Sequence, residues 1–585
     1  MCGILGIVSD QMMVSRAGYS DSLSEYSQRL SQGLCAIARR GPDGQGMWHQ
    51  GRVMLGHVRL AIIDPNARSD QPMESENWVL CYNGEVYNFR DIRIELTALG
   101  HSFKTVSDTE VILRSLEQWG IEGCISRIAG MFAFLAVNKK NGVVYAVRDH
   151  MGIKPLLYSI DKKGSYYFGS SVTAIKAMRS DEDLEIDRGA IGSYMALGGV
   201  HGTHSVYKQI KKIPSAHYIE ITPDGKSRVL KYWEPKYQTD FRLEDLISIV
   251  QEYQVSDVKS ALFLSGGVDS SFLASVYGDF EYFHLTSPEE VYAQMVADRF
   301  RGNLIKVRPE LSNYESDVEA AIAFHGEPMM SVGIPLAVSR ELKANGYKMA
   351  ISANGADELF LGYSRTPHPE YTPPYLPLHE APSKRFLLQQ LQHIFREGRN
   401  FSMADLDGLI PSIETLMHEC LTQYHLDGFP TSASYRWTEL MTYVLSDLNP
   451  TLDAASMFNS VEVRVPFLDH RIVQGVLSWD AAQLITPELG RKAPLKQHLA
   501  QYFPQTLYQR KKLGFGIHSD KLSEIAKLSE NALGDSVDKK RISFTKSAFR
   551  GEYERDLIYL GSSLLGLAKW EKSMSDSSIL PRATL

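Results

Sequence analysis

Leu262-Phe263-Leu264-Ser265-Gly266-Gly267-Val268-Asp269-Ser270-Ser271 is the stretch on which the reading of the whole chain turns. The apolar run 260–264 has the character of a buried strand, and residues 272–277 resume as an apolar helix. Strand, glycine loop and helix in that order turn backbone N–H groups and a helix N-terminus towards a phosphate. Gly266 and Gly267 let the backbone approach an anion, and the hydroxyls of Ser265, Ser270 and Ser271 add donors. Asp269 is the odd member, because a carboxylate beside phosphates makes sense when a divalent cation stands between them. Glycine and serine also populate ordinary turns. A Walker loop is excluded, since no Gly-Lys-Ser/Thr follows.

Working outward, 585 residues exceed a single core, so two to four domains are expected. Hydrophobic and charged contents of 44% and 22% are those of a soluble globular protein. A formal net charge of −7 gives no electrostatic footprint for nucleic acid or an anionic membrane. No apolar run reaches the ~20 residues of a membrane span, and Met1-Cys2-Gly3-Ile4 lacks a basic leader. The five cysteines (Cys2, Cys35, Cys81, Cys124 and Cys420) are scattered without a CxxC, which points to reduced thiols in a cytoplasmic protein.

Cys2 becomes the first residue once Met1 is removed. An N-terminal cysteine carries its own base, an α-amino group of unperturbed pKa ~8. Position alone does not separate such a nucleophile from a chance cysteine in the apolar run CGILGIV. Its company does: Arg40-Gly41-Pro42-Asp43, then His57-Val58-Arg59-Leu60-Ala61-Ile62-Ile63-Asp64, Asn83-Gly84-Glu85-Val86-Tyr87-Asn88 and Ser107-Asp108-Thr109-Glu110. Short strands of alternating character, such as 79–82 and 131–137, surround these loops and predict a layered β-rich domain. In this order the motifs resemble the glutaminase domain of class II amidotransferases, which are N-terminal-nucleophile hydrolases with an αββα sandwich. The resemblance implies that Cys2 attacks the glutamine side-chain amide, with Asn83 and Gly84 as the oxyanion hole. It also implies that Arg59 pairs with the glutamine α-carboxylate, while Glu85 and Asp108 hold the α-ammonium. Arg148-Asp149 and Lys154-Pro155 continue the likeness, with Asp149 and Lys154 expected to support a domain interface.

After the glycine loop, residues 282–285 read as a strand. Ser287-Pro288-Glu289-Glu290 then predicts a helix with Ser287 as N-cap and Glu290 three places on. Another buried strand, 348–352, runs into Ala353-Asn354-Gly355-Ala356-Asp357-Glu358. Strands alternating with helices predict a parallel, doubly wound sheet with ligands at the carboxyl ends of the strands. Both loops follow such ends, so Asp269 and Asp357 are expected to share Mg²⁺ beside pyrophosphate oxygens. With Glu462-Val463-Arg464-Val465-Pro466-Phe467-Leu468-Asp469 and Arg491-Lys492-Ala493-Pro494-Leu495, the series resembles the synthetase domain of glutamine-hydrolysing asparagine synthetases, whose SGGxDSS is a PP-loop. The fold expected is therefore α/β and α+β in two domains. A glutaminase domain, 1–236, precedes an adenylating domain, 237–585.

The resemblance implies an enzyme that hydrolyses glutamine, channels ammonia to an acyl-AMP, and releases amide, AMP and pyrophosphate. ATP would lie against Leu264, Ser265, Gly266, Gly267, Asp269, Ser270, Ser271, Ser352, Ala353, Asp357 and Lys492, with Lys492 neutralising phosphoryl charge. Glu462 and Arg464 read as a buried structural pair, and residues 510–512 mostly as a solvated face or loop. Partners are small molecules rather than nucleic acid or membrane, and a homodimer stays open.

Four departures stand out: Arg39 for the family's histidine, Ser171 for its glutamate, no aspartate after Glu327-Pro328, and Asn354 where asparagine synthetases carry a catalytic glutamate. An amide is no general base. Either Glu358 or another group takes the proton, or Asn354 binds a different acceptor. Aspartate is the default acceptor, and a hexuronic acid sugar of a surface polysaccharide or a natural-product intermediate is the rival. The proline-rich insert 363–382 suits either a loop over the acceptor or a surface excursion. PP-loop chemistry on tRNA fits less well without a basic surface, and a degenerate synthetase domain is the non-catalytic alternative.

Overall fold

The computed structural model describes residues 2–10, 22–179, 184–308, 314–330, 332–363, 424–510 and Trp570. Most of the insert 363–382, part of the extra stretch 9–34, and Lys511 and Lys512 lie outside them. The first half supplies β1 (Cys2–Val8), β2 (Gly44–Gln50), β3 (Val53–Arg59), β4 (Met73–Glu74), β5 (Trp78–Val86) and β6 (Gly130–Asn138). It continues with β7 (Val144–Arg148), β8 (Leu157–Ile160), β9 (Tyr166–Gly169), β10 (Ile210–Lys212), β11 (His217–Ile221) and β12 (Ser227–Lys231). They form two six-stranded antiparallel sheets, ordered β10-β8-β9-β1-β3-β2 and β12-β11-β7-β6-β5-β4.

The two sheets bury Ile4, Leu55, Val79, Cys81 and Leu135 between them. On the outer face of the first, Leu5 and Ile7 meet Leu30, Leu34 and Ile175 of flanking helices. On the outer face of the second, Leu80, Tyr82 and Phe134 cluster with Leu113 and Leu116 of the helix Asp108–Ile125. This is the expected αββα sandwich. The strands differ from expectation in one respect: β5 is buried at every position. Its even and odd side chains point to opposite faces, and here a helix layer covers the face that an open sheet would leave to water.

In the second half β13 (Ser260–Phe263), β14 (Glu281–Leu285), β15 (Asn303–Val307), β16 (Met349–Ile351) and β17 (Glu462–Arg464) form one sheet, ordered β15-β14-β13-β16-β17. Every pairing is parallel. Order therefore reverses beside β13, and the helix Val268–Tyr277 starts at that switch point, where doubly wound sheets bind ligands. The helix after β14 departs from its predicted start. It spans Glu290–Phe300 with Glu289 at the N-cap position, and Ser287 Oγ instead accepts the Glu289 N–H at 3.2 Å. Glu289 is drawn aside by an ion pair with Arg510.

The halves are joined through ion pairs and stacked rings. Arg40 makes a two-pronged pair with Asp453, at 2.7 and 3.2 Å, with both side chains buried. Lys348 Nζ lies 2.8 Å from Asp43, and the Tyr87 and Tyr253 rings stack at 3.7 Å. The rings of His150 and His470 also stack, at 3.7 Å and 7°. Around them lie Phe132, Tyr232 and Trp233, with Asp469 3.7 Å from His470 Nδ1. Burial, then the neighbouring His470 and Arg471, holds His150 well below the usual histidine range. Burial outweighs the Asp469 charge and, with Arg471 adding to it, brings His470 down to about 4.

Both rings are thus neutral when folded and free to take protons when unfolded. Stability is complete above pH ~6.5, the unfolded value, and is lost as pH falls towards the folded value near 4. Melting temperature followed from pH 7.5 to 4.5 should fall steeply below 6.5. In His150→Phe/His470→Phe, which keeps two aromatic rings without the titration, the fall should be shallower; an unchanged slope would remove the pair as its source.

Candidate active sites

Cys2 opens β1, with Arg59 as its cross-strand partner on β3. The Cys2 backbone N–H donates to Asn83 Oδ1 at 2.8 Å, tying the nucleophile's strand to the facing sheet. That fixes Asn83's orientation, and its buried Nδ2 has no partner among the described residues. A buried, unpaired amide donor is costly unless something accepts from it. Gly84 has φ +152, and a Cβ there would stand 2.1 Å from the Met131 carbonyl oxygen, so only glycine fits. Burial pushes the Cys2 thiol up, opposed by the Leu60 N–H and Arg59.

Arg59 is held by the carbonyls of Asn66 (2.7 Å) and Asp64 (2.6 Å) and by Asp70 Oδ1 (2.8 Å). Asp108 accepts from Tyr82 Oη at 2.8 Å and the Val86 N–H at 3.2 Å; burial still raises its pKa. Burial and then Glu462 push Glu85 well above the carboxylate range, although Arg464 opposes them. Arg464 stands 3.3 Å from Glu85. All six residues read from the first half's motifs therefore lie on adjoining strands and one helix start.

The second cluster gathers at the carboxyl edge of the parallel sheet. Gly266 has φ +80, and a Cβ there would meet the Ala293 nitrogen at 2.8 Å. The loop is held by Ser270 Oγ, which takes the Ser265 N–H at 3.1 Å, and by Ser265 Oγ, which takes the Gly267 N–H at 3.2 Å. Ser271 Oγ is buried with no partner among the described residues. The Leu264 carbonyl lies 2.8 Å from His284 Nδ1. Lys492 Nζ lies 2.6 Å from both oxygens of Asp269 and 2.5 Å from Asp357 Oδ1. Lys492 itself has φ +60, a strained backbone for a residue with a side chain. Gly362 makes room for it, since a Cβ there would come within 2.1 Å of Lys492 Cε.

Two carboxylates converging on one cationic point suit a hard divalent ion completed by phosphate oxygens. Among the described residues no group of three or more His, Cys, Asp or Glu offers an all-protein cage. Ser352 and Ala353 lead out of β16, and Ser352 Oγ donates to Asn354 Oδ1 at 2.9 Å. Beside them Glu358 is buried and accepts from Tyr363 Oη at 2.6 Å. Burial, then the Asp357 charge, brings Glu358 up to about 7.

Several residues do more here than their sequence reading gave them. Arg40 Nε donates to the Cys2 carbonyl at 3.0 Å while its fork grips Asp453 in the second half. Arg464 pairs with Glu462 at 2.6 Å, as read, and also reaches Glu85. Its own carbonyl accepts the Ser352 N–H at 2.8 Å, so one residue touches both clusters. The signal for this was an opposite-charge pair inside the apolar run EVRVPF. Arg510 is a correction: it is not a solvated charge but donates to the Gly266 carbonyl at 3.0 Å and pairs with Glu289. Arg39 lies 4.2 Å over the Phe458 ring, and Ser171 Oγ takes the Ala174 N–H at 3.2 Å.

Comparison with known proteins supplies the family. Residues 1–233 match the family model described as a glutamine amidotransferase domain, and residues 243–572 match that described as asparagine synthase. Asparagine synthetase (glutamine-hydrolyzing) 1 of Bacillus subtilis (strain 168) is 30% identical over 567 residues, covering 88% of this chain and 87% of that protein. Asparagine synthetase (glutamine-hydrolyzing) 3 of the same organism is 29% identical over 560 residues, covering 88% and 86%. A putative asparagine synthetase (glutamine-hydrolyzing) of Mycobacterium tuberculosis (strain ATCC 25618 / H37Rv) is 26% identical over 582 residues, covering 88% and 87%. No helix among the described residues is long and apolar enough to cross a membrane. The chain belongs to the asparagine synthase family and is a glutamine-hydrolysing amidotransferase, a carbon–nitrogen ligase with glutamine as amido donor.

Proposed function

We propose that this chain forms an amide from a carboxylic acid in two coupled steps, the glutaminase step in residues 1–236 and the ATP-consuming step in 237–585. The observation that carries the reading is the convergence of Asp269, Asp357 and Lys492 beside the glycine loop. In the first step the Cys2 thiol adds to the glutamine side-chain amide. The developing oxyanion is taken by Asn83 Nδ2 and the Gly84 N–H, ammonia leaves, and water releases glutamate. Arg59 binds the glutamine α-carboxylate, with Glu85 and Asp108 at its ammonium. In the second step the acceptor carboxylate attacks the α-phosphorus of ATP, giving acyl-AMP and pyrophosphate. Ammonia then displaces AMP and loses a proton.

Leu264, Ser265, Gly266, Gly267, Ser270, Ser271, Ser352 and Ala353 cradle the nucleotide, while Lys492 faces the phosphates. Mg²⁺ held by Asp269 and Asp357 would supply charge neutralisation to the departing pyrophosphate. Asn354 has its Oδ1 engaged by Ser352, which leaves its amide hydrogens as what it can offer an acceptor. Aspartate is the first acceptor to test. Asn354, which cannot act as a base, is the specific observation favouring a second: a different carboxylate, such as a hexuronic acid sugar. AMP and pyrophosphate release should be measured with glutamine and ATP across aspartate, uronic acids and other small acids. Turnover with aspartate alone would settle the default, and turnover only with another acid would replace it. No AMP with any acceptor would overturn the reading.

A further inference from the structure

We propose that Asn449 is a hydrogen-bonding station for ammonia between the two sites, an inference that rests on the two-step reading above. Asn449 follows a nine-residue π-helical stretch, Leu440–Leu448, and precedes Pro450. Proline has no N–H to give to the carbonyl four residues back, and its ring crowds that carbonyl, so the helix widens. Accordingly the Asn449 N–H reaches back five residues, to the Val444 carbonyl. The widened turn delivers Asn449 to the junction of the two halves, where it is only 4% exposed.

There neither its Oδ1 nor its Nδ2 has a hydrogen-bond partner among the described residues. A buried amide with both ends unsatisfied calls for a ligand that both gives and accepts. Asn449 lines a cavity of about 10 Å³, shared with Lys154, Asp453, Val463 and Val465. That is about the room one molecule the size of water or ammonia requires.

The walls lead in the two required directions. Asp453 grips Arg40, whose Nε donates to the Cys2 carbonyl. Val463 and Val465 flank Arg464, whose carbonyl accepts the Ser352 N–H at the start of the acceptor turn. The chemistry of the lining also favours neutral ammonia. Nδ2–H can donate to the ammonia lone pair and Oδ1 can accept an ammonia N–H, with no proton transferred. A free carboxylate here would favour ammonium, which is no nucleophile, but the Asp453 charge is committed to Arg40. The cationic Lys154, 4.0 Å from Asp453, disfavours a second cation beside it. Asn449 is thus a positioning residue, touching nitrogen in transit rather than at either reaction.

The test uses the full chain, with glutamine, ATP and whichever acceptor the panel identifies, and reads glutamate formed per pyrophosphate released. Asn449→Leu should raise this ratio several-fold above the parent's, because ammonia escapes instead of crossing. Asn449→Asp, nearly isosteric, should raise it too by holding ammonium. Amide formation from added ammonium chloride reports whether the synthetase site is folded, and if Asn449→Leu fails that control, Asn449→Asp decides. A parental ratio in folded variants would overturn the proposal and leave the cavity as a water site. Failure of the parent to make amide from glutamine would instead overturn the two-step reading.

Discussion

Replacing Cys2 by alanine is expected to lower glutamine-dependent amide formation by at least ~10³-fold, as loss of a covalent nucleophile does. Ammonia-supported formation should stay within about threefold of the parent, because the second site still receives its nucleophile from solution. The asymmetry follows from placement. Cys2 stands on β1 against Asn83 and Arg59, whereas Asp269, Asp357 and Lys492 stand at the edge of a different sheet. Among the described residues, Arg40 and the Arg464–Glu85 pair reach across by side chain towards the glutamine site. Alanine at position 2 leaves the backbone N–H to Asn83 and the carbonyl to Arg40 intact, so the interface survives the change. Parallel assays of amide from glutamine and from ammonium chloride check this. Equal loss of both would mean that Cys2 serves structure, not nitrogen release.

Asp269→Asn should be as severe in the opposite direction. Pyrophosphate release should fall by roughly 10²–10⁴-fold with either nitrogen source, the scale on which a fixed charge opposite a transferring phosphoryl group acts. Glutamine hydrolysis measured without ATP should persist. The asparagine keeps the shape of the aspartate and one oxygen for Lys492, but removes half of the carboxylate pair that a divalent ion would share. It also frees Lys492, which is 2.6 Å from Asp269 and held in a left-handed conformation, to swing wholly towards Asp357. Raising Mg²⁺ should recover only part of the lost rate. Full activity in the variant would dissociate Asp269 from the adenylating step.

Much of this was legible in the sequence because local chemistry and global fold agree at the motifs. The run LFLSGGVDSS became β13, a loop with Gly266 at φ +80 and a helix, since only glycine meets the Ala293 backbone at that distance. The ordered motifs around Cys2, Asn83 and Asp108 assembled because strand register carries them: Cys2 opposite Arg59, and Asn83 two residues before Glu85 on β5. What sequence left out is what depends on docking. Arg40 and Asp453 are 413 positions apart, and no periodicity announces that one will grip the other. Arg510 looked like a loop charge until Glu289 and the Gly266 carbonyl were seen beside it. Local rules likewise put the N-cap at Ser287, and the tertiary pull on Glu289 moved it. Asn449 could not be read at all, because an asparagine before a proline is ordinary until its amide is found buried and unpaired.

The most direct measurement follows the nitrogen itself. The intact chain is supplied with amide-¹⁵N glutamine, ATP, Mg²⁺ and the accepted carboxylate, in buffer containing excess unlabelled ammonium chloride, and the product amide is weighed. If Cys2 and the Asp269–Lys492–Asp357 site are coupled within one molecule, the product keeps ¹⁵N well above the bulk ratio, with one AMP per amide. Product nitrogen at the bulk ratio, or amide formed without AMP, would contradict it.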